Sequence, residues 1–158
     1  MGKKIFTIGY EHKKINDLIY LLKNNGVKVL IDVRNYPNSR INGFSKNSLK
    51  ESLCKADIKY CSWPELGSPK QIRDFARKEN DYEKALKLYK KYLDKMDNDI
   101  IQLGLIISTT TTCLMCYEDN PLYCHRSILA DKLASNLGLK VDHIGNGKLE
   151  NHRNANHR

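Results

Sequence analysis

Apolar positions along the chain follow two rhythms, the period of about 2 expected of strands and the period of about 3.6 expected of helices. A β-branched run, Ile5-Phe6-Thr7-Ile8, closed by Gly9, predicts a first strand over 4–9. Ile15, Leu18, Ile19 and Leu22 then recur at the spacing of one helix face, and Gly26 stands where such a helix stops in the left-handed conformation. Residues 27–33 read as a buried second strand. Ser45 predicts the cap of a helix carrying Leu49, Leu53 and Ala56, and the alternation over 58–63 predicts a third strand. Ser68-Pro69 predicts another helix start, with Ser at the cap and Pro at the first helical position, where a missing N–H leaves no orphan.

Tyr82, Ala85, Leu86, Tyr89, Leu93 and Met96 form an apolar stripe over 81–96, with Lys84, Lys87, Lys90, Lys91 and Lys95 mostly off it. Asn98 or Asp99 is the expected cap of a further helix through Ile107, and 110–117 reads as a buried fourth strand. A helix from about Arg126 to Leu137, ended by Gly138, leads to a fifth strand over 141–144. Strands separated by crossover helices imply right-handed βαβ units. The expected fold class is therefore α/β: three layers, a mainly parallel five-stranded sheet and helices on both faces. It forms one domain over 1–147, and 148–158, without apolar periodicity, is expected to be a mobile tail.

Length supports that reading, since 158 residues with 41% hydrophobic positions suffice for one proper core. The longest apolar stretch, around 100–107, is broken by Gln102 and Gly104 and falls far below the ~20 residues of a membrane span. Residues 1–5 lack the apolar core of a signal peptide, so no membrane association and a cytoplasmic location are expected. Five cysteines, an odd number, argue for reduced thiols rather than a disulfide framework. A net charge of +9 favours nucleic acid, nucleotides or other phosphorylated partners.

In open parallel sheets, ligands bind outside the carboxyl ends of the strands. There the first strand releases Gly9 and Tyr10, the second Asp32 and Arg34, the third Pro64 and Glu65, and the fourth Glu118. The expectation is a cleft in which Asp32, Glu65 and Glu118 converge with Arg34, Arg40 and Arg126. From Arg34 to Lys50 there are four basic residues and no acid. Arginine forks match phosphate oxygens, and Ser39 adds an uncharged donor. The plainer alternatives are acids that cap loops and arginines that pair with acids across the surface.

Residues 116–127 join the fourth strand to the last helix. His125 and Arg126 at a helix start oppose its dipole unless helix end and arginine hold an anion together, and Cys124 in the same field is expected to have a lowered thiol pKa. Alternatively, Cys124 packs inward and Arg126 pairs with Glu118. Metal binding through Cys113, Cys116, Cys124 and His125 is set aside, because strand alternation sends 113 and 116 to opposite faces. No metal and no cofactor is expected.

The motifs Thr7-Ile8-Gly9-Tyr10, Asp32-Val33-Arg34 with Pro37, Ser39-Arg40 and Phe44-Ser45, Glu65-Leu66-Gly67, Cys116-Tyr117-Glu118 and Cys124-His125-Arg126 together resemble the domain-of-unknown-function family 488, over about residues 5 to 145. The resemblance implies an α/β fold and the strand-end cleft as the site, and no substrate. More faintly, Leu30 to Arg34 and the strand-borne Cys116 followed by Arg126-Ser127 resemble rhodanese domains, which implies sulfur carriage on Cys116. The stretch from Cys116 to Arg126 is longer than a tight persulfide cradle, and Glu118 and Asp119 within it repel an anion.

The expected function is an enzyme acting on a phosphate-bearing ligand, a nucleotide or nucleic acid. Glu118, Asp32, His125 and Cys116 are the catalytic candidates, and Tyr10, Arg34, Ser39, Arg40, Glu65, Cys124 and Arg126 the ligand-binding ones. The alternatives are rhodanese-like sulfur transfer and a non-catalytic nucleic-acid-binding module using the Lys84–Lys95 helix face.

Overall fold

The computed structural model describes residues 3–145. Strands β1 (Lys4–Gly9), β2 (Val29–Asp32), β3 (Lys59–Ser62), β4 (Thr112–Cys116) and β5 (Lys140–Ile144) form a five-stranded sheet in the order β3-β2-β4-β1-β5, every pairing parallel. Helices α1 (Ile15–Asn24), α2 (Lys46–Lys55), α3 (Lys70–Glu79), α4 (Tyr82–Leu93), α5 (Asp97–Thr109) and α6 (His125–Leu137) connect them. The expected three-layer α/β fold is the observed one.

Alternation along the strands sorts the core into two halves. On β4, Cys113 and Met115 face Leu18, Leu22, Leu49 and Leu53 of α1 and α2, whereas Leu114 and Cys116 face Tyr89, Leu103, Leu129 and Leu133 of α4, α5 and α6. The chain first moves from β1 outward to β2 and β3, then returns to place β4 between β2 and β1. That reversal sets a crevice at the carboxyl end of β4, the usual ligand position in such sheets.

Element limits follow local chemistry. Gly26 and Gly138 lie beyond α1 and α6 with φ of 70° and 68°, as the pattern predicts. Asp81 caps α4 by accepting from the Lys84 N–H at 3.0 Å. Two expected helix starts differ from those observed. Pro69 occupies the cap position of α3 instead of its first turn, and α5 begins at Asp97 after Met96, so Asn98 and Asp99 lie in its first turn. There Asp97 and Asp99 suit the helix dipole, and Asp99 accepts from the Trp63 indole at 2.9 Å. Strand β4 is shorter than its expected run, with Thr111 and Tyr117 exposed on either side, and β2 is likewise shorter, although Val27 and Val33 beyond it are buried. The expected tail over 148–158 lies outside the described residues.

Candidate active site

At the end of β2, Asp32 is fully buried and Arg34 is 5% exposed. The guanidinium grips the carboxylate in a fork, Nε to Oδ1 at 2.8 Å and Nη2 to Oδ2 at 2.7 Å, while the Arg34 N–H also donates to Oδ1 and the Tyr60 hydroxyl donates to Oδ2 at 2.6 Å. Nη1 donates to the Phe44 carbonyl at 2.6 Å, and the guanidinium lies over the Tyr10 ring, which itself stacks on Phe44. Burial alone works against the Arg34 charge, but the hydrogen bonds and charge of Asp32 hold its pKa above the ordinary value. Asp32 is thereby saturated with protein donors, and Arg34 is occupied in holding the 34–44 loop.

The β4–α6 connection is fastened just as firmly. Pairing between β1 and β4 continues past the strands, with the Tyr10 and Glu11 N–H groups donating to the Cys116 and Tyr117 carbonyls at 3.1 and 2.8 Å. Gly9 faces the Glu118 carbonyl so closely that a Cβ there would lie 1.8 Å from the oxygen. Lys13, almost wholly buried, donates to the Gly9 carbonyl at 2.6 Å and to Asp119 Oδ1 at 2.8 Å. From the other side the fully buried Arg126 donates to the carbonyls of Glu118 and Asp119 and, through Nε, to Thr7 Oγ1 at 3.2 Å. Arg126 therefore meets the Glu118 main chain. Thr7 Oγ1 in turn lies 2.6 Å from His143 Nδ1; burial and then the Arg126 charge lower the His143 pKa.

Three donor groups converge inside this frame. Cys116 ends β4, Cys124 caps α6, and His125 opens it; their Sγ, Sγ and ring nitrogen lie within 4.8 Å of one another. The short 3₁₀ turn Pro121–Tyr123, begun by Asn120 accepting from the Leu122 N–H, folds the chain back to bring 124 and 125 onto 116. His125 Nε2 donates to the Val33 carbonyl at 2.9 Å, so Nδ1 faces the sulfurs, 3.7 Å from Cys116 and 3.9 Å from Cys124. Tyr89 packs edge-on against the imidazole with centroids 5.0 Å apart, and its hydroxyl donates to the Leu66 carbonyl.

Burial disfavours a thiolate here. At Cys124 the neighbouring Cys116 thiol, His125 and Arg126 more than offset it and hold the pKa well below the ordinary thiol value. The hydrogen bond that Cys116 shares with Cys124, followed by burial and the Cys124 charge, pushes Cys116 well above that value. Burial lowers the His125 pKa, but Cys124 and the Val33 carbonyl outweigh it and the net direction is upward. Burial and then the Cys124 charge push Glu118 up to about 7, and its Oε2 is buried with no hydrogen-bond partner.

Cys116, His125 and Glu118 face a cavity of about 740 Å³. Its walls include Arg34, Arg73 and Arg77, with Glu11 opposing them, and Tyr36, Tyr82, Tyr117 and Tyr123. A family model described as a domain of unknown function, DUF488, matches residues 14–133, most of the chain. The chain belongs to the DUF488 family. No curated protein and no solved structure matches it. The DUF488 match begins beyond Gly9 and Tyr10 but takes in Asp32, Arg34, Glu65 and the whole of the Cys116–Arg126 connection.

Of the residues singled out in this DUF488 chain, Arg34, Cys116, Glu118 and His125 line the cavity, and Cys124 lies directly behind it. The expected convergence of three strand-end acids does not occur. Asp32 is sealed beneath Arg34, and Glu65 sits exposed on a 3₁₀ turn over Pro64–Leu66, where its carbonyl accepts from Tyr92. Ser39 and Arg40 lie on the loop after β2, off the cavity lining, where the Ser39 hydroxyl accepts from the Ile41 N–H. Tyr10 stacks on Phe44 and meets Tyr117 edge-on. Cys113 and Cys116 do face opposite sides of β4, yet Cys116 meets Cys124 and His125 across the loop.

Sequence reasoning missed Arg73 and Arg77, whose i, i+4 spacing places both on one face of α3, and the buried Lys13. Tyr89, on the α4 stripe, is a core residue beside the imidazole.

Proposed function

We propose that the chain is an enzyme that acts on a phosphate-bearing ligand with an aromatic base, a nucleotide or nucleic acid, in the cavity at the carboxyl edge of the sheet. The observation that carries this reading is one cavity whose floor bears Glu118, Cys116 and His125 and whose walls bear arginines and tyrosines. Arg73, which also donates to the Ser68 carbonyl and to Asn35 Oδ1, and the exposed Arg77, 3.7 Å from Asp74, supply their remaining guanidinium donors for phosphate; Tyr36, Tyr82 and Tyr123, all well exposed, supply faces for a base. Glu118 is the acid/base group because its buried Oε2 carries no protein hydrogen bond and its side chain lines the cavity. Asp32 and Arg34 act as scaffold, and His125 orients the thiols, since its Nε2 is committed to Val33.

The test uses ATP, GMP and a short single-stranded oligonucleotide as probes, with equilibrium dialysis for binding and mass spectrometry for products. The parent binds at least one probe. An Arg73→Ala/Arg77→Ala variant weakens it by about 10-fold or more, with a shallower salt dependence. Glu118→Gln keeps binding and loses turnover. Absence of binding to all three probes, or an arginine double variant that binds as the parent does, overturns the reading. Binding without turnover in the parent favours the non-catalytic module instead. Sulfur transfer through Cys116 is the second reading, favoured by Cys116 lining the cavity; retained transfer from thiosulfate in Cys116→Ser excludes it.

A further inference from the structure

We propose that Cys116, Cys124 and His125 form a binding site for a zinc-class divalent metal ion, with its fourth coordination position open to the cavity. This goes beyond the ligand reading above and stands whether or not the cavity takes a nucleotide. A tetrahedral zinc ion, with Zn–S about 2.3 Å and Zn–N about 2.0–2.1 Å, sets S···N edges of roughly 3.6 Å and an S···S edge of roughly 3.8 Å. The observed S···N separations are 3.7 and 3.9 Å, and all three donor atoms fall within 4.8 Å of one another. Contraction by a few tenths of an ångström at the nitrogen edges, and by up to about 1 Å between the two sulfurs, therefore closes the site.

The second shell fits as well. A metal-bound imidazole needs one nitrogen free and the other anchored, and the anchor is present: Nε2 donates to the Val33 carbonyl at 2.9 Å, which leaves Nδ1 for the metal. Tyr89 fixes the ring plane from the side. The donors stand at the end of a central strand and at the cap and first residue of a 13-residue helix, brought together by the short turn over Pro121–Tyr123.

Charge balances too. The cluster carries two exchangeable protons, whether as two thiols and a neutral imidazole or as a thiolate, a thiol and an imidazolium. Uptake of a divalent ion releases both to solvent and forms two metal–sulfur bonds and one metal–nitrogen bond, without any change of oxidation state. Two thiolates then neutralise the ion where solvent is scarce, and thiolate and imidazole donors select zinc over magnesium or calcium. Cys116 and His125 line the cavity, so the remaining position faces it. Three protein ligands with an open fourth position is the pattern of catalytic rather than structural zinc. Glu118, which lines the same cavity and has an unpartnered Oε2, would be the group to take a proton from a metal-bound water.

The experiment titrates Co²⁺ into the full-length, reduced, chelator-stripped chain without nucleotide. One cobalt per chain is expected, with the visible absorption of a tetrahedral centre and a thiolate-to-cobalt charge-transfer band, both abolished by stoichiometric Zn²⁺. Cys116→Ser and Cys124→Ser each weaken cobalt binding by more than about 100-fold, while Cys54→Ser, at an exposed position, leaves it unchanged. X-ray absorption of the zinc-loaded parent, which needs no variant to fold, is expected to show two sulfur scatterers and an imidazole. No charge-transfer band, a spectrum unaltered in Cys116→Ser, or fewer than two sulfur scatterers overturns the assignment. Nucleotide binding plays no part in these readouts, so the two proposals fail separately.

Discussion

Replacing Arg34 by Met tests whether this arginine is scaffold or ligand contact. The guanidinium donates twice to Asp32 and once to the Phe44 carbonyl, with Asp32 fully buried. Met keeps the aliphatic bulk and removes every side-chain donor, leaving a buried carboxylate with only the main-chain N–H of position 34 and the Tyr60 hydroxyl. Removing one partner of a buried pair typically costs about 3–5 kcal/mol, because the other charge stays desolvated. For a chain of this size, that lowers Tm by roughly 10–15 °C. Trp63, the single tryptophan, sits half-buried just beyond β3 and reports urea unfolding by fluorescence. In an Asp32→Asn background the same Arg34→Met change loses its ionic component, so a double-mutant cycle gives a coupling of at least about 2 kcal/mol. A cost below about 1 kcal/mol, or a cost identical in the Asp32→Asn background, refutes the scaffold assignment and returns Arg34 to the ligand.

Other outcomes follow from the same frame. Tyr89→Phe removes the donor to the buried Leu66 carbonyl and is expected to cost about 1–3 kcal/mol in urea unfolding while slightly loosening the imidazole. Gly9→Ala forces the Glu118 main chain away and is expected to cost about 1–3 kcal/mol, with a larger relative loss of probe binding. His143 is held below its ordinary pKa, so the unfolded chain binds this proton first. Its contribution is complete above about pH 6.5 and is lost as pH falls below it; His143→Asn flattens that acid limb in stability measured from pH 4 to 7.

Much of the scaffold was legible because it rests on local signals. The stripe of α4, the Gly26 and Gly138 stops and the β-branched run of β1 each express one short-range rule. The site was legible only in part, because its logic is pairwise and three-dimensional. Asp32 and Arg34 stood out as a strand-end acid and a phosphate fork, yet strand alternation puts positions two apart on one face, and there they pair with each other instead of with a ligand. Cys-x-x-Cys drew attention to Cys113, and alternation correctly sent it away from Cys116. What brings Cys124 and His125 back is the Asn120–Pro121 turn, a loop geometry without periodicity. Arg73 and Arg77 join the cavity only because α3 packs toward the reversal point of the sheet, a tertiary fact.

The close approach at Gly9 also decides which parts of the cavity are free to move. Hydrogen bonds from Tyr10 and Glu11, the Lys13 ammonium and the Arg126 fork all grip the segment that bears Glu118, and no side chain fits between it and β1. That segment behaves as a casting, and lifting it would mean unzipping the sheet. A ligand of the kind proposed would therefore have to enter past the tyrosines and α3. The same division makes the exposed wall residues on α3 exchangeable without disturbing the segment beneath them.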